Sequence, residues 1–169
     1  MHSLSVCCIR QTVLACLVVW LTGCGGSLKN PVAPPPPTAS QGNWQAVHEA
    51  SRLQGFPYRY GGKSPEQGFD CSGLVHYVYA RQGIRLPRTA LSMAQDLPAV
   101  PPAQRQPGDL LFFNIEDKPF SHVGLYVGRG VFVHAHRTGR EVMRSSLAVP
   151  YWLERLTGVR RPPKSKSGS

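Results

Sequence analysis

Two apolar runs separated by Gly128-Arg129-Gly130 set the tightest limit on how this chain can fold. Val123-Gly124-Leu125-Tyr126-Val127 precedes the glycines, and Val131-Phe132-Val133-His134-Ala135-His136 follows them. Short runs rich in β-branched and aromatic residues around a glycine turn predict a β-hairpin. Side chains alternate along a strand, so His134 and His136 share a face. The face of His122 depends on register. A three-residue turn at 128–130 pairs 127 with 131 and 124 with 134, making His122 and His134 diagonal neighbours. A tight two-residue turn without a bulge puts them on opposite faces. Shared chemistry therefore requires the longer turn or a bulge.

The rest of the globular part falls around this hairpin. Trp44, Val47, Ala50 and Leu53 keep helical spacing up to a stop at Gly55. A second helix is expected from about 71 to 82, ending at Gly83, and a short third from Ala90 to Asp96. A proline-rich loop spans Pro98 to Pro107. Leu110-Leu111-Phe112-Phe113 is a buried strand, Val142-Met143-Arg144 another, Tyr151 to Arg155 an amphipathic turn and Val159-Arg160-Arg161 a closing strand. Helices first and strands after predict an α+β fold with an antiparallel sheet rather than a parallel βαβ array. At 169 residues and 41% hydrophobic content, the chain holds one domain with a core and some length to spare.

The spare length lies at the ends. Arg10 followed by Thr12 to Leu21 reads as an export signal, since about ten to thirteen apolar residues are too few to span ~30 Å of hydrocarbon. It ends in Leu21-Thr22-Gly23-Cys24, which resembles the bacterial lipobox. That resemblance implies cleavage before Cys24, acylation of Cys24 and anchoring by several acyl chains. Gly25 rather than Asp after the acylated residue implies the outer membrane, with the domain on its periplasmic face. Residues 24–42 are Pro-, Gly- and Ser-rich, a semi-rigid spacer able to hold a domain some 40–50 Å away at about 3 Å per residue. The expected division is therefore 1–23 signal, 24–42 anchor and linker, 43–162 domain, and 163–169 disordered tail.

The formal charge of +10 comes from scattered basic residues. No nucleic-acid-binding motif accompanies it, so an anionic working environment explains it better than nucleic acid. Of five cysteines, four lie within the first 24 residues. Removal of the signal leaves acylated Cys24 and a lone thiol, Cys71, which has no cysteine to pair with.

Cys71 follows Asp70, a good helix N-cap, and opens an apolar helical run. A helix start favours negative charge, and with a cationic neighbour a thiol pKa there falls to roughly 3.5–7.5. The expectation is a thiolate nucleophile; the alternative is a small buried hydrophobe. A nucleophilic cysteine needs a base, and the base needs an orienting group. His48 and His76 lie on helix faces without chemical context, which leaves the hairpin histidines. A zinc site from Cys71, His134 and His136 is disfavoured, because the cysteine is distant in sequence and no CxxC is present.

Several motifs occur in order. They are Tyr58-Arg59-Tyr60-Gly61-Gly62, Asp70-Cys71-Ser72-Gly73, Leu86-Pro87-Arg88-Thr89, Gly108 to Phe113, Ser121 to Gly128 and Phe132 to Ala135. Together they resemble the NlpC/Spr-type family of cell-wall cysteine peptidases, which has a papain-like core, over about residues 44–162. Pro150-Tyr151-Trp152 is similar to the Spr branch. The resemblance implies Cys71 as nucleophile, His122 as base and His134 as the residue orienting it. The Cys71 amide would contribute to an oxyanion hole. Tyr60 would be a second donor or a grip on substrate, with an aromatic core residue as its alternative. His136 departs from the small polar residue common at its position. Ser72, Arg88, Gln95 and Asp109 are expected to be structural.

The implied activity is endopeptidase action on peptidoglycan stem peptides or cross-links, with no metal or other cofactor, by a monomer. The bond implied is D-alanyl–diaminopimelate, with γ-D-glutamyl–diaminopimelate as the other. An amidase or acyltransferase of the same fold and a non-catalytic wall-binding module are the rival classes.

Overall fold

The computed structural model describes residues 43–115 and 117–164. The expected signal segment, Cys24, the linker up to residue 42 and tail residues 165–169 lie outside the described residues.

Among the described residues, three α-helices and a short 3-10 turn (Pro102–Gln104) precede the main sheet. Helix α1 (Trp44–Arg52) is capped by Asn43, and the chain leaves it through Gly55 at φ +89°. Helix α2 (Cys71–Ala80) begins at Asp70, whose carboxylate accepts from the Gly73 amide. Helix α3 (Ala90–Asp96) is capped by Thr89. Between α1 and α2, Lys63–Ser64 (β1) and Gly68–Phe69 (β2) form a two-stranded antiparallel ladder that the turn-rich sequence did not predict.

The main sheet contains β3 (Leu110–Ile115), β4 (Lys118–Gly128), β5 (Val131–Ala135), β6 (Val142–Ser146) and β7 (Leu156–Arg160) in the order β6-β5-β4-β3-β7. Neighbouring strands all run antiparallel. Helix α4 (Pro150–Arg155) leads into β7. The expected α+β class holds, and the predicted amphipathic turn is this short helix.

The sheet has a core on each face. Leu110, Phe112, Val123, Leu125, Val133 and Ala135 pack with α1, α2 and α3. Leu111, Phe113, Tyr126 and Phe132 pack on the other face with Leu147, Trp152 and Val159. Each fully buried large apolar side chain contributes roughly 1.5–3 kcal/mol. A one-residue slip would turn both sets inside out, so burial holds the register firmly.

The register of the β4–β5 hairpin settles the histidine question. Gly128 pairs with Val131, so the turn is the tight two-residue one, with Arg129 at φ +51° and Gly130 at φ +75°. Positive φ at both central residues matches the right-handed strand twist. Tyr126, however, pairs with Phe132, leaving Val127 as an extra residue on β4. This is a β-bulge, one of the two outcomes that place His122 and His134 on the same face.

Candidate active site

Asp70 organises the entry to α2. Its Oδ1 accepts from the Gly73 amide at 2.6 Å and its Oδ2 from the Gly61 amide at 2.9 Å. Arg88 donates to both carboxylate oxygens, at 3.0 and 2.7 Å, and to Ser72 Oγ at 2.9 Å. It also donates to the Gly61 carbonyl. Burial pushes the Asp70 carboxyl up in pKa, but Arg88, the Gly73 amide and Ser72 outweigh it and hold the group below its usual range. Gly73 has a steric reason to be glycine: a Cβ there would sit 2.0 Å from the Gly62 carbonyl oxygen. The 61–62 loop is thereby pressed onto the first turn of α2. The expected structural roles of Arg88 and Ser72 are those observed. Asp109 is likewise structural, paired with Arg161 at 2.8 Å.

Cys71 is half-buried at the edge of the helix-side core. Burial pushes its thiol up in pKa, and the Asp70 charge adds to that, while the amides of Val123, Ser72 and Cys71 itself oppose it. The net direction is upward, which corrects the expected thiolate. Arg88, the nearby cation, is already engaged by Asp70, and the helix start alone does not offset desolvation. The resting group is a neutral thiol facing backbone N–H donors. The β4–β5 ladder begins at the Leu125–Val133 pair, and Val123 lies beyond it, with its amide facing the sulfur.

His122 is buried in β4, and its Nε2 lies 2.8 Å from Nδ1 of His134 in β5. His134 is fully buried, and its Nε2 lies 2.9 Å from Ser145 Oγ in β6. One proton arrangement leaves His122 Nδ1 bare: His122 Nε2–H donates to His134 Nδ1, and His134 Nε2–H donates to Ser145 Oγ. Desolvation, with His136 adding to it, lowers the His122 pKa to about 3. His134 is lowered too, by burial and then by the neighbouring imidazoles. Both rings are neutral at ordinary pH, so His122 retains a lone pair able to take a proton.

Trp152 of α4 forms the apolar wall of this cluster. Its ring stacks on His122 with centroids 5.8 Å apart and meets His134 edge-on at 4.8 Å. His136 lies 5.9 Å from His122, ring to ring. Nitrogen atoms of His122, His134 and His136 lie within 4.8 Å of one another. The trio is therefore histidine only, differing from the Cys71–His134–His136 set weighed in the sequence.

A cleft of about 930 Å³ opens over the site, lined by Cys71, His122, His136, Tyr60 and Arg88 among others. Tyr60 is 93% exposed, which removes the core reading of that residue. His48 is exposed on α1, and His76 Nδ1 lies 2.9 Å from the Leu86 carbonyl oxygen, so neither belongs to the site. Ser145 and the wall role of Trp152 were missed in the sequence. Ser145 reaches His134 diagonally across the ladder, since it pairs with Phe132, two residues before His134 on β5.

A helix-borne thiol set beside histidines on an antiparallel sheet defines the papain-like class. Within that class the chain belongs to the NlpC/P60 family, which matches residues 55–161. It is 42% identical over 120 residues to the murein DD-endopeptidase MepH of Escherichia coli, covering 69% of this chain and 44% of that protein. Identity to the gamma-DL-glutamyl hydrolase of Bacillus subtilis is 43% over 117 residues, covering 68% of this chain and 28% of the relative. A Staphylococcus aureus crystal structure described as similar to lipoprotein, NLP/P60 family, superposes with TM-score 0.65 at 36% identity. That match covers 71% of this chain and 41% of the other. The chain thus spans less than half the length of these relatives.

Proposed function

We propose that this protein is a peptidoglycan endopeptidase acting through Cys71, His122 and His134. The observation that carries the proposal is the hydrogen-bonded row His122–His134–Ser145 beside a cleft lined by both His122 and Cys71; with protons on Nε2 of both imidazoles, His122 Nδ1 is the atom left to take the thiol proton. In this reading Sγ of Cys71 attacks the scissile carbonyl carbon while its proton passes to His122 Nδ1. The carbonyl oxygen gains negative charge, and N–H groups at the start of α2 are the donors for it. Collapse breaks the C–N bond, and His122 returns the proton to the departing amine. Water then hydrolyses the thioester, releasing a carboxylate and restoring the thiol.

Lys118 and Arg137 also line the cleft, and the one carboxylate among its described lining residues, Asp70, is engaged by Arg88. Such a cleft suits a peptide carrying free carboxylates, as wall stem peptides do. Exposed Tyr60 is the candidate grip on that peptide. D-alanyl–diaminopimelate cross-links are the preferred bond, supported by the Spr-like Pro150-Tyr151-Trp152. The γ-D-glutamyl–diaminopimelate bond is the second reading, supported by the likeness to the Bacillus subtilis hydrolase. We further propose acylation at Cys24, a monomeric state and placement on the periplasmic face of the outer membrane, supported by the lipobox-like Leu21-Thr22-Gly23-Cys24 and the proline-rich spacer.

Digestion of purified murein followed by muropeptide analysis tests the activity. Loss of cross-linked dimers with new free D-alanine carboxyl ends is expected, and Cys71→Ala should abolish it. Unchanged turnover by Cys71→Ala would refute the proposal. Release split between D-glutamate and diaminopimelate would move the assignment to the second bond.

A further inference from the structure

The cluster of His122, His134 and His136 has a composition that peptide hydrolysis does not require. Two imidazoles suffice for a base and its orienter. The third, His136, is half-buried, and its Nδ1 is shielded from solvent without a hydrogen-bond partner among the described residues. One nitrogen from each ring lies within 4.8 Å of the others. Ring centroids are separated by 5.1, 5.9 and 5.3 Å.

Those separations match a known coordination geometry. Three imidazoles bound tetrahedrally to zinc at ~2.0–2.1 Å place their donor atoms about 3.4 Å apart and their ring centres about 5 Å apart. The His122–His134 contact at 2.8 Å needs to open by about 0.6 Å, and His136, within 4.8 Å of the others, needs to swing inward by up to about 1.4 Å. Metal-binding histidines typically donate their other ring N–H to an oriented acceptor. His134 already does so, with Nε2 facing Ser145 Oγ at 2.9 Å and Nδ1 facing the cluster. Imidazole donors suit zinc, copper and nickel; an all-nitrogen tetrahedral set favours zinc among the abundant ions.

We propose that His122, His134 and His136 form an inhibitory zinc-binding site built into the catalytic cluster. The inhibition follows from proton placement. Zinc takes the lone pair on His122 Nε2, so the single proton of the neutral ring moves from Nε2 to Nδ1. Nδ1 is the atom that must accept the Cys71 proton, and a protonated Nδ1 cannot. The metal disarms the base without touching the sulfur. His136 is the residue that turns a catalytic pair into a three-donor site.

The binding claim is independent of the proposed peptidase activity; the inhibitory claim rests on it. Full-length Cys71→Ala protein, with Cys7, Cys8, Cys16 and Cys24 also replaced by Ser so that no thiol remains, is titrated with zinc by calorimetry and with cobalt(II) by visible absorption. One equivalent of zinc and the intense d–d bands of tetrahedral cobalt are expected. His136→Gln in the same background should weaken zinc binding at least about tenfold. Should that variant fail to fold, Ser145→Ala reads the same site from outside, with an expected loss of about tenfold or more. Absence of binding by the Cys71→Ala protein, or equal affinity in the His136→Gln protein, overturns the site. In the Cys71-containing protein, zinc should slow alkylation of Cys71 by iodoacetamide, and His136→Gln should raise the zinc concentration needed at least about tenfold. Binding without any effect on alkylation or murein turnover overturns the inhibitory claim alone.

Discussion

Ser145 Oγ lies 2.9 Å from Nε2 of His134, at the far end of a hydrogen-bonded row that begins at His122. A proton held on His134 Nε2 leaves Nδ1 of that ring as an acceptor, which draws the His122 proton to Nε2. Ser145 is not among the residues lining the cleft over Cys71. As acceptor for His134 Nε2–H it would select the arrangement that the proposed base needs, the role of a positioning residue.

Ser145→Ala is expected to lower kcat about tenfold, the equivalent of one net hydrogen bond of about 1.4 kcal/mol, with KM little changed. Ser145→Thr, which keeps a hydroxyl, should restore most of the rate. Steady-state kinetics of the two variants on one cross-linked muropeptide checks this. Equal loss in both would make Ser145 a packing residue only.

Cys71 should rest as a thiol and alkylate only through its thiolate fraction. Burial raises its pKa, so the iodoacetamide rate should climb with pH into the alkaline range and show no reactive plateau between pH 5 and 7. A pH series on the free protein reads this directly. A plateau at acidic pH would mean a preformed thiolate–imidazolium pair.

Acid should destabilise the fold through the buried histidines. The His122 folded-state pKa, about 3, lies below its ordinary value of 6.5, so the unfolded chain binds more protons between those values. Stability is then full above about pH 6.5 and is lost as pH falls towards 3. The depressed Asp70 carboxyl works in the same direction further down. Thermal melts from pH 7 to 4 should show a falling Tm in the Cys71→Ala protein, and His134→Gln, with one buried imidazole fewer, should flatten the fall.

Gly73→Ala should destabilise the domain by about 2 kcal/mol or more, despite alanine's better helix propensity. That propensity gain is under about 1 kcal/mol, whereas a Cβ 2.0 Å from the Gly62 carbonyl forces the 61–62 loop away. Loss of the Gly61–Arg88–Asp70 contacts should follow, along with activity. Urea unfolding of this variant beside Leu91→Ala, an exposed site on α3, separates the effect from any general cost of substitution.

Exposed Tyr60 should contribute to substrate affinity rather than to the fold. Tyr60→Ala is expected to leave Tm within a degree or so and to raise KM several-fold. A large fall in kcat at unchanged KM would instead assign its hydroxyl to the oxyanion.

The sequence made most of the scaffold legible where local signals agreed. Asp70 and Thr89 cap α2 and α3 as side-chain chemistry dictates, and Ala90–Asp96 is the span expected of α3. The hairpin was legible as an alternative between a longer turn and a bulge, and Val127 supplies the bulge. The β1–β2 ladder was hidden because Gly62 and Gly68 read as turn residues, whereas their backbones are needed for close approach. Ser145 was hidden because its place depends on a β5–β6 register with no turn motif to set it. The thiol's pKa was misjudged because a helix start is visible in a sequence and desolvation is not.

The two faces of the main sheet carry different parts of the proposed chemistry. Cys71 sits against the core shared with α1, α2 and α3, while the imidazoles rest on Trp152 in the opposite one. A chain in which only one core has formed holds a sulfur without a base, or a base without a sulfur. On the proposed reading, a hydrolase acting on the wall polymer, this works as a two-key lock. On that reading the sulfur and its base come together only once both cores have formed.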